Sequence, residues 1–225
     1  IYDRNGTELA VSASVETIWV SPETLKKSAE DLNPVAQRLA EILSLDANDV
    51  LNKLQQNTSY VVVGKKVDRE IGNQVRQLVK DLNISGIYID EDSKRFYPKG
   101  NLASHIIGFT DADNKGMYGV EYTLNKYITG LPGRILSETD AGGMELPFKE
   151  EKRIDPQDGL NAVLTIDENI QYFAEKAIDK AIADNKVKQG AVAIVMDPRN
   201  GDILAMVSKP DFDLNKPYQL PAGID

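Results

Sequence analysis

Residues 191–207 have the sequence AVAIVMDPRNGDILAMV, in which two apolar runs flank a connection rich in turn-forming residues. Neither the first run, Ala191–Met196, nor the second, Asp202–Val207, alternates between apolar and polar residues. We therefore predict a β-hairpin that presents apolar side chains on both of its faces.

The segment before this hairpin predicts a helix that Asp167 caps. Its apolar residues recur at helical spacing, and they are Ile170, Phe173, Ala177, Ile178, Ala181 and Ile182. One helix can cover only one face of the hairpin. We therefore expect the chain to stop within an incomplete domain.

Residues 33–90 predict a subdomain of helices and strands inserted between flanking strands. Asn33 is the expected cap of its first helix, since Pro34 suits the first helical position. The other expected features are helices capped by Asp46 and Asp68, and strands at Tyr60–Val63 and Ile87–Ile89.

The rest of the chain predicts strands and turns. Asn5 and Gly6 favour a two-residue hairpin turn in which both residues have positive φ. Further strands are expected at Ile18–Val20, Arg134–Asp140 and Ala162–Ile166, a helix at Val120–Ile128, and a polar linker at Lys149–Asp158. Together these elements predict an α+β fold.

Composition excludes several kinds of function. The 225 residues include 35 acidic and 26 basic side chains, a net charge of −9, so nucleic acid is an unsuitable partner. The chain has no cysteine and one histidine, which rules out thiolate chemistry and multi-histidine metal sites. No apolar run of about 20 residues is present.

The individual motifs point to neither a metal site nor a catalytic site. Asp111–Gly116 begins like a calcium loop, but Lys115 and Tyr122 occupy positions that need oxygen ligands. His105 lies among apolar residues and is expected to be a packed, hydrogen-bonded side chain. We therefore predict no metal, no cofactor and no catalytic residue in this chain.

Three segments resemble the class B penicillin-binding proteins in order and spacing. Tyr2–Ala10 resembles the segment that follows the membrane anchor, and Lys94–Gly100 resembles the family's Arg-x-Tyr-Pro-x-Gly motif. Gly116–Gly133 resembles the motif Gly-x-x-Gly-x-Glu followed by a glycine-bounded turn. Leu160–Pro210 in turn resembles the opening of the family's transpeptidase domain.

This resemblance implies a domain division and a parent enzyme. Residues 1–150 would form the dimerisation domain, a strand-built pedestal that supports the catalytic domain, with the inserted subdomain at about 33–90. Residues 151–225 would form a linker and the start of an incomplete α/β transpeptidase domain, namely one helix and the hairpin. The family's Ser-x-x-Lys, Ser-x-Asn and Lys-Thr-Gly motifs do not occur in the chain, so it is not expected to be an enzyme.

The resemblance also implies a network of motif residues without catalytic function. Its members would be Asp3, Arg4, Gly6, Arg95, Tyr97, Pro98, Gly100, Gly119, Glu121, Gly130 and Gly133. We expect Arg95 to pair with Glu121, with Asp3 or Arg4 nearby. The alternative is that these are ordinary solvated charges, each contributing little to stability.

The implied role is to position a peptidoglycan D,D-transpeptidase on the extracytoplasmic face of the membrane, anchored by an N-terminal helix outside this chain. Implied partners are a multi-spanning glycosyltransferase, other wall-synthesis or division proteins, its own transpeptidase domain and a second copy. One alternative is a free-standing extracellular module that binds peptidoglycan or protein. Another is an intact enzyme of a different class that uses Glu121, His105 or Asp140.

Overall fold

The computed structural model describes residues 1–136 and 152–219, and it mixes helices with strands. The predicted α+β class is therefore confirmed. The described chain forms two compact units. One is Ser12–Arg95; the other combines Ile1–Val11 with the chain from Phe96 onward. The predicted division at residues 150 and 151 stays a prediction.

The unit at Ser12–Arg95 places helices against a three-stranded sheet. Its elements are β1 (Val11–Val20), α1 (Pro22–Ser28), α2 (Leu32–Leu43), α3 (Ala47–Leu54), β2 (Val61–Val67), α4 (Arg69–Asp81) and β3 (Ile87–Phe96). The strand order is β2-β1-β3, and β1 and β2 are antiparallel, with Trp19 opposite Val62. Ile18 and Val20 are fully buried on the sheet, and Leu39, Leu54 and Val75 on the helices join them in one core.

Helix α2 begins two residues earlier than expected. Its cap is Asp31, not Asn33, and the Asp31 carboxylate accepts a hydrogen bond from the backbone N–H of Asn33 at 2.9 Å. Pro34 still falls in the first turn, where a missing N–H leaves no helical bond unmade. The earlier start lets Leu32 pack against the core.

An ion pair joins β1 to α4 in this unit. Glu16 is 5% exposed, and its two carboxylate oxygens accept from Arg76 at 2.7 and 3.2 Å. Such a two-bond arrangement fixes the angle between the two groups better than a single bond.

The described part of the other unit contains four helices and two antiparallel strand pairs. Its elements are α5 (Ser104–Ile107), α6 (Gly119–Thr123), α7 (Asn125–Ile128), β4 (Arg134–Leu136), β5 (Lys152–Ile154), α8 (Glu168–Asn185), β6 (Ala191–Met196) and β7 (Ile203–Lys209). Strands β4 and β5 are antiparallel, and so are β6 and β7. The helix expected at Val120–Ile128 is thus split into α6 and α7.

The remaining predicted strands have different outcomes in the structure. The hairpin at β6 and β7 is confirmed, with Ala205 and Val207 buried while Val192 and Ile194 are 67% and 59% exposed. Ala162–Ile166 forms only a bridge, in which Tyr2 pairs in parallel with Val163. The strand expected at Arg134–Asp140 and the linker expected at Lys149–Asp158 lie partly outside the described residues.

The N-terminal hairpin closes with a three-residue loop. Asp3 N–H donates to the Thr7 carbonyl at 2.9 Å, and Gly6 N–H donates to the Asp3 carbonyl at 3.2 Å. Gly6 has φ +87°, whereas Asn5 is not among the residues with positive φ, so the expected two-residue turn was wrong. A type I turn followed by a left-handed glycine produces this bond pattern.

Candidate functional site

The carboxylate of Asp3 lies buried where the N-terminal hairpin meets α8. Asp3 has no exposed surface, and its oxygens accept from the backbone N–H groups of Thr7 at 2.7 Å, Asn5 at 2.8 Å and Glu168 at 3.1 Å. Glu168 is the first residue of α8, so Asp3 caps a helix about 165 residues away along the chain. Asn5 also donates to Asp167, the local cap of the same helix, at 3.0 Å.

Two opposing effects act on the pKa of Asp3. Burial raises the pKa, whereas hydrogen bonds from the backbones of Thr7, Glu168 and Asn5 lower it. The hydrogen bonds together outweigh burial, so the pKa lies below the ordinary value of 3.8. Asp3 is therefore charged in the folded protein at neutral pH.

We expect Asp3→Asn to lower the free energy of unfolding at pH 7 by about 1–3 kcal/mol, because the charged acceptor is lost. The folded-state pKa is depressed, so the carboxylate stabilises the fold above the unfolded pKa and stops doing so as pH falls through the folded pKa. Urea unfolding at pH 7 and at lower pH should show the gap between wild type and variant narrowing below about pH 4.

Asp184→Asn is a matched control, because Asp184 is an exposed residue of α8 and the variant changes net charge equally. Its unfolding free energy should stay within about 0.5 kcal/mol of wild type at pH 7. A stability gap for Asp3→Asn that is constant from pH 7 down to pH 2 would contradict the role given to the charge.

The segment that contains Tyr97 is held by the chain's last described stretch. The side-chain amide of Asn215 accepts from Tyr97 N–H at 3.1 Å and donates to the Tyr97 carbonyl at 2.9 Å. Pro98 is the second residue of the turn that follows, which Gly100 closes by donating to the Tyr97 carbonyl at 3.1 Å. Proline at that position presets φ for the turn.

Glu121 lies in the same unit as Tyr97 and is 2% exposed. The Tyr97 hydroxyl donates to the Glu121 carboxylate at a long 3.4 Å. Arg95 belongs to the other unit, where its guanidinium donates to the Ser12 hydroxyl at 3.2 Å. The pairing of Arg95 with Glu121 stays a prediction.

The remaining motif residues are placed as follows. Arg4 donates its backbone N–H to the Ile166 carbonyl at 2.9 Å. A Cβ on Gly130 would strike the Gln157 carbonyl, and one on Gly133 would lie 2.9 Å from the Ile154 carbonyl, so the turn they bound passes close to residues 154–157. His105 is packed and hydrogen-bonded as expected, with Nε2 2.9 Å from the Pro210 carbonyl oxygen.

Two buried polar side chains on α8 were not anticipated. Gln171 is fully buried; its amide donates to the Met206 carbonyl at 3.0 Å and accepts from Met206 N–H at 2.8 Å. It also donates to Glu175 at 2.8 Å, and the same Glu175 oxygen accepts from Ala103 N–H at 2.9 Å. One chain of bonds thus joins β7, α8 and the segment just after the Tyr97 turn.

We call this arrangement the junction, formed by the side chains of Asp3, Asn215, Gln171 and Glu175 with their backbone partners. A cleft of about 300 Å³ lies beside it. Two of the lysines that line it are paired with acidic lining residues, Lys99 with Glu168 at 2.6 Å and Lys209 with Asp179 at 3.0 Å. Such pairing favours a structural cleft over a site with a free acid or base.

Metal clusters and membrane-spanning helices are absent from the part of the chain that the structure describes. Within residues 1–136 and 152–219, no cluster of three histidine, aspartate or glutamate side chains is placed to hold a metal ion. The same residues include no helix with the length and apolar character needed to cross a membrane. The bonds of the junction join side chains to backbone groups or to one another, and they connect segments that are distant along the chain.

Comparison with known proteins identifies the family of the chain. The family model described as "Penicillin-binding Protein dimerisation domain" matches residues 1–164. Stage V sporulation protein D of Bacillus subtilis (strain 168) is 34% identical over 215 residues, which are 95% of this chain and 32% of that protein. Peptidoglycan D,D-transpeptidase FtsI of Escherichia coli (strain K12) is 30% identical over 222 residues, which are 96% of this chain and 36% of that protein.

A solved structure extends the likeness to the fold. Penicillin Binding Protein 2X from Streptococcus thermophilus has a TM-score of 0.73 at 25% identity, covering all of this chain and 36% of that one. The chain spans about a third of the length of the curated relatives it matches. Because the family model covers well over half of the 225 residues, and because these relatives share nearly all of its length, this chain belongs to the class B penicillin-binding proteins.

Proposed function

We propose that this chain is the non-catalytic, extracytoplasmic part of a peptidoglycan D,D-transpeptidase and that it positions the catalytic domain. The observation that supports this most is the junction. It ties the motif segments around Asp3 and Ala103 to α8 and β7, the elements that resemble the opening of a transpeptidase domain. A catalytic domain attached through such bonds would be held at a set orientation.

The proposal includes the finer description of the fold. Residues 1–150 are the pedestal, with the inserted subdomain at about 33–90, and residues 151–225 are a linker and the first part of the transpeptidase domain. The exposed apolar residues of β6 support an incomplete domain, since Val192 and Ile194 would be covered by a further layer. On this view the network of motif residues, including the pair Arg95 and Glu121, locks the pedestal.

The location and partners follow from the same proposal. The chain would lie on the extracytoplasmic face of the bacterial membrane, anchored by a transmembrane helix that precedes it. Its partners would be a multi-spanning glycosyltransferase, other wall-synthesis or division proteins, and a second copy. Exposed polar residues of α2 and α4, such as Gln37, Arg38, Glu41 and Gln74, are the candidate contact surface on the inserted subdomain.

Labelling with fluorescent penicillin tests the proposal. We expect a protein extended through the following coding sequence to be labelled covalently, and the 225-residue chain to remain unlabelled, because the chain has no Ser-x-x-Lys motif. Circular dichroism of both proteins shows that each is folded. A folded extended protein that resists labelling would instead favour the free-standing binding module.

A further inference from the structure

Three aromatic side chains form a row across the sheet of the unit at Ser12–Arg95. Trp19 on β1 stacks on Tyr88 of β3, with ring centroids 4.2 Å apart and planes at 18°. Tyr60, just before β2, packs against the same indole at 4.9 Å. Tyr60 and Tyr88 are 55% and 41% exposed. We call Tyr60, Trp19 and Tyr88 the aromatic row, and it lies on the sheet face opposite buried Ile18 and Val20.

Consecutive carboxylates continue from this row along β3. Asp90 accepts from the indole N–H of Trp19 at 2.8 Å, and Asp92 accepts from the Thr17 hydroxyl at 2.7 Å. Glu91 lies between them and is exposed. We call Asp90, Glu91 and Asp92 the acidic edge, because β3 is an outer strand of the sheet as described, whose order is β2-β1-β3.

The acidic edge disfavours pairing with a second copy of β3. Antiparallel pairing about Glu91 would set Glu91 against its own copy and Asp90 against Asp92. Like charges directly opposite one another destabilise a strand pair. The same charges would attract a strand that carries positive side chains, so the edge selects between partners as well as preventing aggregation.

The geometry of the row disfavours a sugar ring stacked on the Trp19 indole. Trp19 has neighbours on both sides, with Tyr88 stacked on it and Tyr60 tilted against it. A pyranose needs an open ring face, and the indole has none to spare. Tyr88 is 41% exposed on the outer strand β3, two residues before Asp90. A planar guanidinium can stack on a tyrosine while pairing with a carboxylate.

We propose that the β3 edge binds an extended, arginine-bearing segment of a partner protein as a fourth strand. An arginine of that segment stacks on Tyr88 and pairs with Asp90, and a second basic residue two positions along pairs with Asp92. Main-chain bonds to β3 supply strand-to-strand contact, and the acidic edge supplies selectivity. This inference deepens the proposed partner-binding role of the pedestal and rests on it.

Trp19 makes the test direct, since it is the chain's one tryptophan and its fluorescence reports on this face alone. The probe is an end-blocked decapeptide that alternates arginine and valine, titrated into the whole 225-residue chain. We expect a saturable change in Trp19 emission that weakens with added salt. The same decapeptide with glutamate in place of arginine should produce no change.

Paired variants identify the site. Asp90→Asn with Asp92→Asn keeps both hydrogen-bond acceptors for Trp19 and Thr17 but removes two charges, and should weaken arginine-peptide binding about tenfold. Glu23→Gln with Glu30→Gln makes the same change in net charge at exposed positions of the same unit, and should leave the dissociation constant within about twofold.

Three results would overturn the inference. They are equal binding of the arginine and glutamate peptides, equal weakening by the two double variants, and a Trp19 response to a soluble glycan fragment in place of the arginine peptide. None of them depends on penicillin labelling, so the pedestal role could stand while the strand-binding edge fails.

Discussion

Replacing Gly119 with alanine should lower the free energy of unfolding by about 3–5 kcal/mol. Gly119 has φ +62°, a left-handed conformation that costs an L-residue about 1–2 kcal/mol. A Cβ there would also lie 2.5 Å from the Ile106 carbonyl oxygen and 2.7 Å from Gly108 N. Both neighbours are backbone atoms, so α6 would have to move away from the chain at residues 106–108.

Gly100 supplies a matched control, because it has the same φ of +62° and nothing lies within 4 Å of the position of an added Cβ. Gly100→Ala should therefore cost only the conformational part, about 1–2 kcal/mol. Urea unfolding followed by circular dichroism compares the two variants with wild type. Equal losses would show that crowding at Gly119 contributes nothing and that α6 is free to shift.

The caps of the helices show how far local sequence predicts this fold. Asp46 and Asp167 were identified correctly, since their carboxylates accept from backbone N–H groups within three residues. The prediction of Asn33 as a cap was wrong because Asp31 takes that role two residues earlier. The longer helix gains the packing of Leu32. Local signals thus locate a helix start, and tertiary packing chooses between neighbouring caps.

Helix α8 shows where the sequence pattern misleads. The apolar spacing predicted one buried stripe that included Phe173, yet Phe173 is 69% exposed while Gln171 and Glu175 are buried. These polar residues are buried because their partners are Met206 and Ala103, which lie 35 and 72 residues away along the chain. Nothing in the local pattern marks such a partner. Gln171 and Glu175 lie four residues apart on one helix face, but α8 carries other polar residues at that spacing, such as Lys176 and Lys180.

The motif residues of the junction were easier to identify than its geometry. Resemblance singled out Asp3 and Tyr97, and both are buried with several hydrogen bonds. It did not indicate that Asp3 caps α8, since Glu168 becomes its neighbour only through the parallel bridge between Tyr2 and Val163. The pairing of these distant segments determines the contact between Asp3 and Glu168. The sequence pattern within either segment does not predict it.

Gln171→Leu should lower the free energy of unfolding by about 3–5 kcal/mol. Leucine fills a similar volume but removes the bonds to the N–H and carbonyl of Met206, at 2.8 and 3.0 Å, and the bond to Glu175 at 2.8 Å. Each buried group left without its partner costs about 1–3 kcal/mol, and the Glu175 carboxylate loses one of its donors. Urea unfolding at neutral pH measures the loss.

Gln77→Leu makes the same substitution on the exposed face of α4, where the side chain bonds only to Asp81, at 2.6 Å. It should change the unfolding free energy by less than about 0.5 kcal/mol. If Gln171→Leu changed the unfolding free energy equally little, leucine packing would compensate for the lost hydrogen bonds. Apolar packing would then be what holds α8 against β7. A loss confined to Gln171→Leu would instead mean that a buried amide carries the connection between β7, α8 and the chain beyond the Tyr97 turn.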